Sequence, residues 1–140
     1  MGDILKLETN GFIPADCIIL QAEDRLGQCY ISTSNLDGER NLKPRFAPKM
    51  TQGRLMELSS SNITIQCIDP DKDIYRFDGK MIEGENQNEL GLLQFVPRGS
   101  VLRNSLNVYA MVAYTGVDTK LVLNQGSYSL KISSVFTKLN

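Results

Sequence analysis

The run Asn107-Val108-Tyr109-Ala110-Met111-Val112-Ala113-Tyr114 constrains this chain more than any other stretch. Apolar side chains occupy nearly every position, so an extended segment here presents an oily surface on both sides and needs cover on both. The run is far shorter than the roughly 20 apolar residues that cross a bilayer. The other long apolar run, Cys17-Ile18-Ile19-Leu20, is shorter still. A buried strand with a layer against each face is therefore expected at 107–114.

The segments available to form those layers are short and punctuated by glycine and proline. Ile4-Leu5-Lys6-Leu7 begins extended, Asn10-Gly11 marks a turn, and Pro14 keeps Ile13 out of helical backbone before the apolar run that follows Asp16. These read as two strands joined by a tight bend. Cys29-Tyr30-Ile31-Ser32-Thr33 is rich in β-formers, and Ile63-Thr64-Ile65-Gln66-Cys67 alternates as a strand does. Asp78-Gly79, between Ile74-Tyr75-Arg76-Phe77 and Lys80-Met81-Ile82, is the dipeptide that a type I′ hairpin turn prefers. The acidic, amide-rich residues 83–89 read as a surface loop. Leu90-Gly91-Leu92-Leu93-Gln94-Phe95-Val96 reads as a strand stopped by Pro97, and Val101-Leu102-Arg103-Asn104 as another after the turn at Arg98-Gly99-Ser100. One helix is expected at 51–58, with Leu55, Met56 and Leu58 on its apolar side, and a short second one after Asp118, through 119–123. Residues 125–140 show no clear period and read as a loosely attached tail. Many short strands with one or two short inserted helices predict a mostly β fold, a sandwich of the distorted jelly-roll or double-stranded β-helix-like kind.

With 140 residues, of which 41% are hydrophobic, the chain can fill one core, so one domain is expected. Lys and Arg number 15 against 16 Asp and Glu, a net charge of -1 with the positive side chains scattered, which argues against a nucleic-acid partner. Cys17, Cys29 and Cys67 are odd in number, far apart and set among apolar residues, and the chain has no histidine. That pattern argues against zinc and against a disulfide framework, and favours buried free thiols in a reducing, cytosolic setting. Without histidine, a general base near neutral pH must be a carboxylate, a lysine, a tyrosine or a thiolate.

The stretch that offers such a base is Asn35-Leu36-Asp37-Gly38-Glu39-Arg40-Asn41-Leu42-Lys43, which follows strand-like residues. Gly38 can take positive φ and approach another surface closely while Glu39 projects beyond it. Taken in isolation, the same residues make an ordinary hairpin turn, since Asp-Gly is a common turn dipeptide and solvated charges are usual there.

Four stretches in order change that balance. Gly2-Asp3-Ile4 with Ile13-Pro14-Ala15-Asp16, then Asn35-Leu36-Asp37-Gly38-Glu39 with Asn41-Leu42-Lys43, then Arg98-Gly99 with Leu102-Arg103-Asn104, then Tyr114-Thr115-Gly116 with Asp118-Thr119-Lys120 together resemble the actuator domain of P-type ATPases of the phospholipid-flippase class. Ile65-Gln66-Cys67 and the segment from Tyr75 to Gly79 resemble flippases in particular. The resemblance covers almost the whole chain and implies an actuator domain at 1–124, lying in a cytosolic loop between the second and third transmembrane helices and lacking its N-terminal edge. Residues 125–140 would then lead toward the next transmembrane helix.

The resemblance also implies roles. Glu39 matches the family's catalytic glutamate, which orients and partly deprotonates a water in line with an aspartyl phosphate on another domain. Asp37 and Gly38 match the loop positions that support it, Asp37 through backbone hydrogen bonds. Arg40 stands where the flippase pattern has threonine: it could add positive charge near a phosphate or obstruct docking, and in extended backbone it would point away from Glu39. The other landmarks are explained by bends, packed corners and buried hydrogen bonds. By the same resemblance the parent protein is a phospholipid-translocating ATPase that uses ATP and Mg. Its phosphorylation, nucleotide-binding and membrane domains are the partners. This fragment binds no cofactor, metal or phospholipid and is inactive alone. The alternative implied by Arg40 is an inactive regulatory or scaffold module in an ATPase-like region fused to another enzyme, such as a guanylyl cyclase.

Overall fold

A computed structural model describes residues 4–54, 63–67, 77–114 and 127–129. Among these residues, eleven strands form three antiparallel sheets. The central sheet runs β1 (Ile4–Leu7), β10 (Val108–Tyr114), β2 (Asp16–Gln21), β8 (Phe95–Val96). A second sheet runs β11 (Ser127–Ser129), β5 (Ile63–Cys67), β6 (Gly79–Glu83), β7 (Asn86–Leu90). The third is β4 (Lys43–Phe46), β3 (Gln28–Ser32), β9 (Val101–Arg103). The fold is mostly β, as expected.

The apolar run of β10 is explained by its place. It pairs with β1 on one side and β2 on the other, and its side chains alternate between two cores. Met111 and Ala113 enter one cluster, with Ile18, Leu20, Ile63, Ile65 and Met81, against the second sheet. Val108, Ala110 and Val112 enter the other, with Cys17, Ile19, Cys29, Ile31 and Leu102, against the third sheet. Each fully buried aliphatic side chain contributes about 1.5–3 kcal/mol, so both faces of this strand are needed to offset chain entropy. Phe95 of β8 stacks on Phe77, centroids 4.9 Å apart and planes 7° from parallel, and binds the central sheet to the approach to β6.

Several sequence expectations are corrected. Asp78-Gly79 is not a hairpin turn: Gly79 opens β6 and sits between Cys67 of β5 and Leu90 of β7. Its lack of a side chain serves close approach, since a Cβ there would lie 2.8 Å from the Gln66 carbonyl oxygen. The hairpin turn falls one segment later, at Gly84-Glu85, closed by the pair Glu83 and Asn86. Residues 86–90 are consequently strand β7 and not loop. As a strand bonded, among the described residues, only to β6, β7 exposes most of its side chains, so Asn86, Gln87 and Glu89 keep their water while the backbone pairs.

The apolar run 90–96 is not one strand but a crossing between layers. Leu90 ends β7, a short 3-10 turn spans Leu92–Gln94, and Phe95–Val96 joins the central sheet. The Gln94 side chain accepts the Gly91 N–H at 2.8 Å and fixes the bend. The chain around Ile4 and Cys17 does form two strands, but they flank β10 and do not pair with each other.

Of the helix expected at 51–58, residues 51–53 are turn and 54 is irregular, and residues 55–58 lie outside the described residues. Thr51 is held by its buried hydroxyl, which donates to the Leu20 carbonyl at 2.6 Å. The one α-helical turn among the described residues is instead α1 (Ser34–Asp37), in the candidate loop. Within the expected tail, Ser127–Ser129 pairs with β5 at the sheet edge. The helix after Asp118 and the segment from Ile74 to Arg76 lie outside the described residues. No helix among the described residues is long and apolar enough to cross a membrane.

Candidate functional site

Strands β3 and β4 are direct neighbours, with Ile31 opposite Lys43, so residues 33–42 form a loop whose two ends are bonded to each other. The strands do make a hairpin, but a longer one than the Asp-Gly dipeptide alone indicates. Ser34–Asp37 makes one helical turn, and Gly38 ends it with φ 77° and ψ -1°, donating its N–H to the Ser34 carbonyl at 2.9 Å. This left-handed backbone favours glycine. A Cβ on Gly38 would meet nothing within 4 Å, so that side of the loop is open to approach from outside the chain.

Asp37 organises the tip. Its Oδ1 accepts the Glu39 N–H at 2.8 Å, and both its oxygens receive the Thr33 hydroxyl, at 3.2 and 3.0 Å. Thr33 is itself buried at the end of β3. A side chain rooted in the sheet thus holds the carboxylate that holds the backbone of Glu39. The Glu39 carboxylate reaches back through Oε2 to the Lys43 ammonium, four residues on and at the start of β4. The Lys43 side chain is 19% exposed and that of Glu39 is 54% exposed, so the lysine is seated and the glutamate presented. Arg40 is exposed and, among the described residues, pairs with no carboxylate.

The other landmarks gather beside this loop. Leu36 packs on the Arg98-Gly99 turn, where its Cδ2 would stand 3.2 Å from a Cβ on Gly99, whose φ is 89°. The Arg98 N–H donates to Asp16 Oδ1 at 2.7 Å, Gly99 N–H to the Ile13 carbonyl at 3.0 Å, and Ile13 N–H to the Ser100 carbonyl at 2.8 Å. Burial pushes the Asp16 carboxyl up, and the bond and charge of Arg98 pull it partly back. Ile13-Pro14-Ala15-Asp16 and Arg98-Gly99 therefore form one corner, which supports the loop from below. Tyr114 ends β10, while Thr115 and Gly116 lie outside the described residues.

Two polar residues that sequence reasoning left unassigned have roles here. Thr33 reads as a β-former, and its bond to Asp37 follows only once the helical turn brings the two together. Arg45 reads as one more solvated charge, yet it is buried, with Nε donating to the Phe95 carbonyl at 2.6 Å and Nη1 to the Pro44 carbonyl at 2.8 Å. It lies opposite Cys29 in register. Burial pushes the Cys29 thiol up to about 12 against the pull of Arg45, and burial followed by the Asp16 charge pushes Cys17 up as well. Both thiols are free and buried, and burial disfavours the thiolate that a nucleophile requires. Glu39 is the exposed carboxylate that the fold positions by both its backbone and its side chain.

Comparison with known proteins places this geometry in context. No protein-family model matches the chain. Over its whole length it is similar to phospholipid-transporting ATPases. Phospholipid-transporting ATPase ID of Homo sapiens is 36% identical over 142 residues, covering 100% of this chain and 12% of that protein. The probable phospholipid-transporting ATPase 12 of Arabidopsis thaliana is 39% identical over 143 residues, and phospholipid-transporting ATPase 1 of the same plant 34% over 140, with the same coverage. The chain thus spans 12% of the length of each of these relatives.

Proposed function

Starting from its place as a segment of the phospholipid-transporting ATPase family, we propose that this chain is the actuator domain of a larger ATP-driven lipid pump, on the cytosolic face of a membrane. Its loop docks on a phosphorylated aspartate carried by another domain of the same polypeptide. Glu39 orients a water in line with the aspartyl phosphate and takes its proton as the water oxygen bonds to phosphorus and the aspartate carboxylate departs. ATP and Mg belong to the parent's other domains, and the phospholipid to its membrane domain.

The observation that carries this reading is the presentation of Glu39: its N–H is fixed by Asp37, and the open side of Gly38 admits a partner surface. The test is phosphoenzyme decay in the full-length parent. Glu39→Gln keeps the size of the side chain and removes the base, so decay slows by about a hundred- to ten-thousand-fold. Decay at the native rate would remove Glu39 from the reaction.

A second reading rests on Arg40. An exposed guanidinium beside Glu39, with no carboxylate partner among the described residues, meets the docking surface first. If it blocks docking, any phosphoenzyme that the parent forms persists, and a parent that forms none makes the chain a regulatory module of an ATPase-like region. If it faces the phosphate, Arg40→Thr leaves a working pump.

A further inference from the structure

We infer that Lys43 is a positioning residue for Glu39, holding one carboxylate oxygen from the sheet so that the other is free to take the proton of the attacking water. The inference rests on the reading of Glu39 as the dephosphorylation base. Glu39 is restrained in two places by different means. Its backbone N–H is bonded to Asp37, which leaves only side-chain torsions undetermined. The Lys43 ammonium then fixes Oε2, and among the described residues Oε1 has no hydrogen-bond partner.

The two partners are not equivalent. Lys43 is the first residue of β4, and its backbone faces Ile31 in the β3–β4 ladder. Its side chain is 19% exposed against 54% for Glu39. The anchored member of the pair is therefore the lysine. An ammonium has three donors and no acceptor, so it can hold a carboxylate oxygen without competing for the proton that the other oxygen is to receive. The residues between them, 40–42, are loop and not helix, so this contact is not the routine stabilisation of a helical face by residues four apart. A half-exposed ion pair adds little to stability. Its effect is on the direction of the carboxylate, where a displacement near 1 Å costs about a hundredfold in rate.

The experiment uses the full-length parent, following phosphoenzyme formation from ATP and its decay after a chase. The proteins compared are native, Lys43→Met, Lys43→Arg, Glu39→Gln and the double variant Lys43→Met with Glu39→Gln. We expect Lys43→Met to form phosphoenzyme at the native rate and lose it about ten- to a hundredfold more slowly. Lys43→Arg restores most of the decay rate. In the Glu39→Gln background, Lys43→Met adds no further slowing, because the group it directs is already gone. Native decay in Lys43→Met beside slow decay in Glu39→Gln overturns the inference and leaves the base assignment standing. Multiplicative slowing in the double variant also overturns it. Native decay in Glu39→Gln overturns the base assignment and the inference with it. If Lys43→Met forms no phosphoenzyme, Lys43→Gln is read by the same criteria.

Discussion

The two faces of β10 and the loop at 33–42 are ordered by opposite means. Around β10 apolar burial sets the arrangement: Met111 and Ala113 fall to one core and Ala110 and Val112 to the other because every second side chain of a strand points the same way. In the loop, Leu36 is the residue that packs, and the rest is a chain of polar contacts from Thr33 to Asp37 to the Glu39 backbone, then from the Glu39 carboxylate to Lys43. The core tolerates exchange of one apolar group for another of like volume. The loop does not, because each donor there has a particular acceptor. Stability and positioning are thus assigned to different chemistry in different places, and each can be damaged without the other.

Met111→Ala breaks the core half of that comparison. Met111 is wholly buried between β1 and β2, and truncation there should destabilise the chain by about 2–5 kcal/mol, read as a lowered denaturant midpoint. Phosphoenzyme that still forms in the parent should decay normally, because no loop contact changes. A decay defect in Met111→Ala would show that core and loop are coupled after all.

Thr33→Val sharpens the loop half with a smaller effect. Valine keeps the buried volume of Thr33 and removes the hydroxyl that reaches Asp37. The expected stability loss is about 0.5–1.5 kcal/mol, the net value of one hydrogen bond. Decay in the parent should slow, though less than in Lys43→Met, since Asp37 still holds the Glu39 N–H. A stability loss as large as that of Met111→Ala would mean that Thr33 acts as core.

Legibility followed the same division. The two-sided burial of β10 could be read from the run 107–114, because a continuous apolar strand has only one way to be satisfied. β7 could not, because an edge strand keeps its polar side chains in water and leaves no alternation to read. Gly79 misled because glycine serves both a turn and a close approach, and only the position of the Gln66 carbonyl tells them apart. In the loop, Asp37, Gly38 and Glu39 stood out only through the four ordered stretches that resemble a family, since by residue type they read as an ordinary turn. The contributions of Thr33 and Lys43 depend on contacts between a helical turn and two strands, which local spacing does not encode. Arg45 was hidden for the same reason: its acceptor, the Phe95 carbonyl, lies 50 residues away in the chain.

A sheet gripped on both faces has a mechanical consequence. Close-packed interiors compress little and pass strain on, so the central sheet can bow toward neither neighbour, and a torque applied at one edge of the body is delivered at the other. The loop leaves this body through β3, whose Cys29 and Ile31 are set in the core, and returns through β4. In the proposed pump, Glu39 would therefore travel on a stiff lever, over an arc set by how far the whole body turns. The angle of that turn would meter when the carboxylate meets its phosphate.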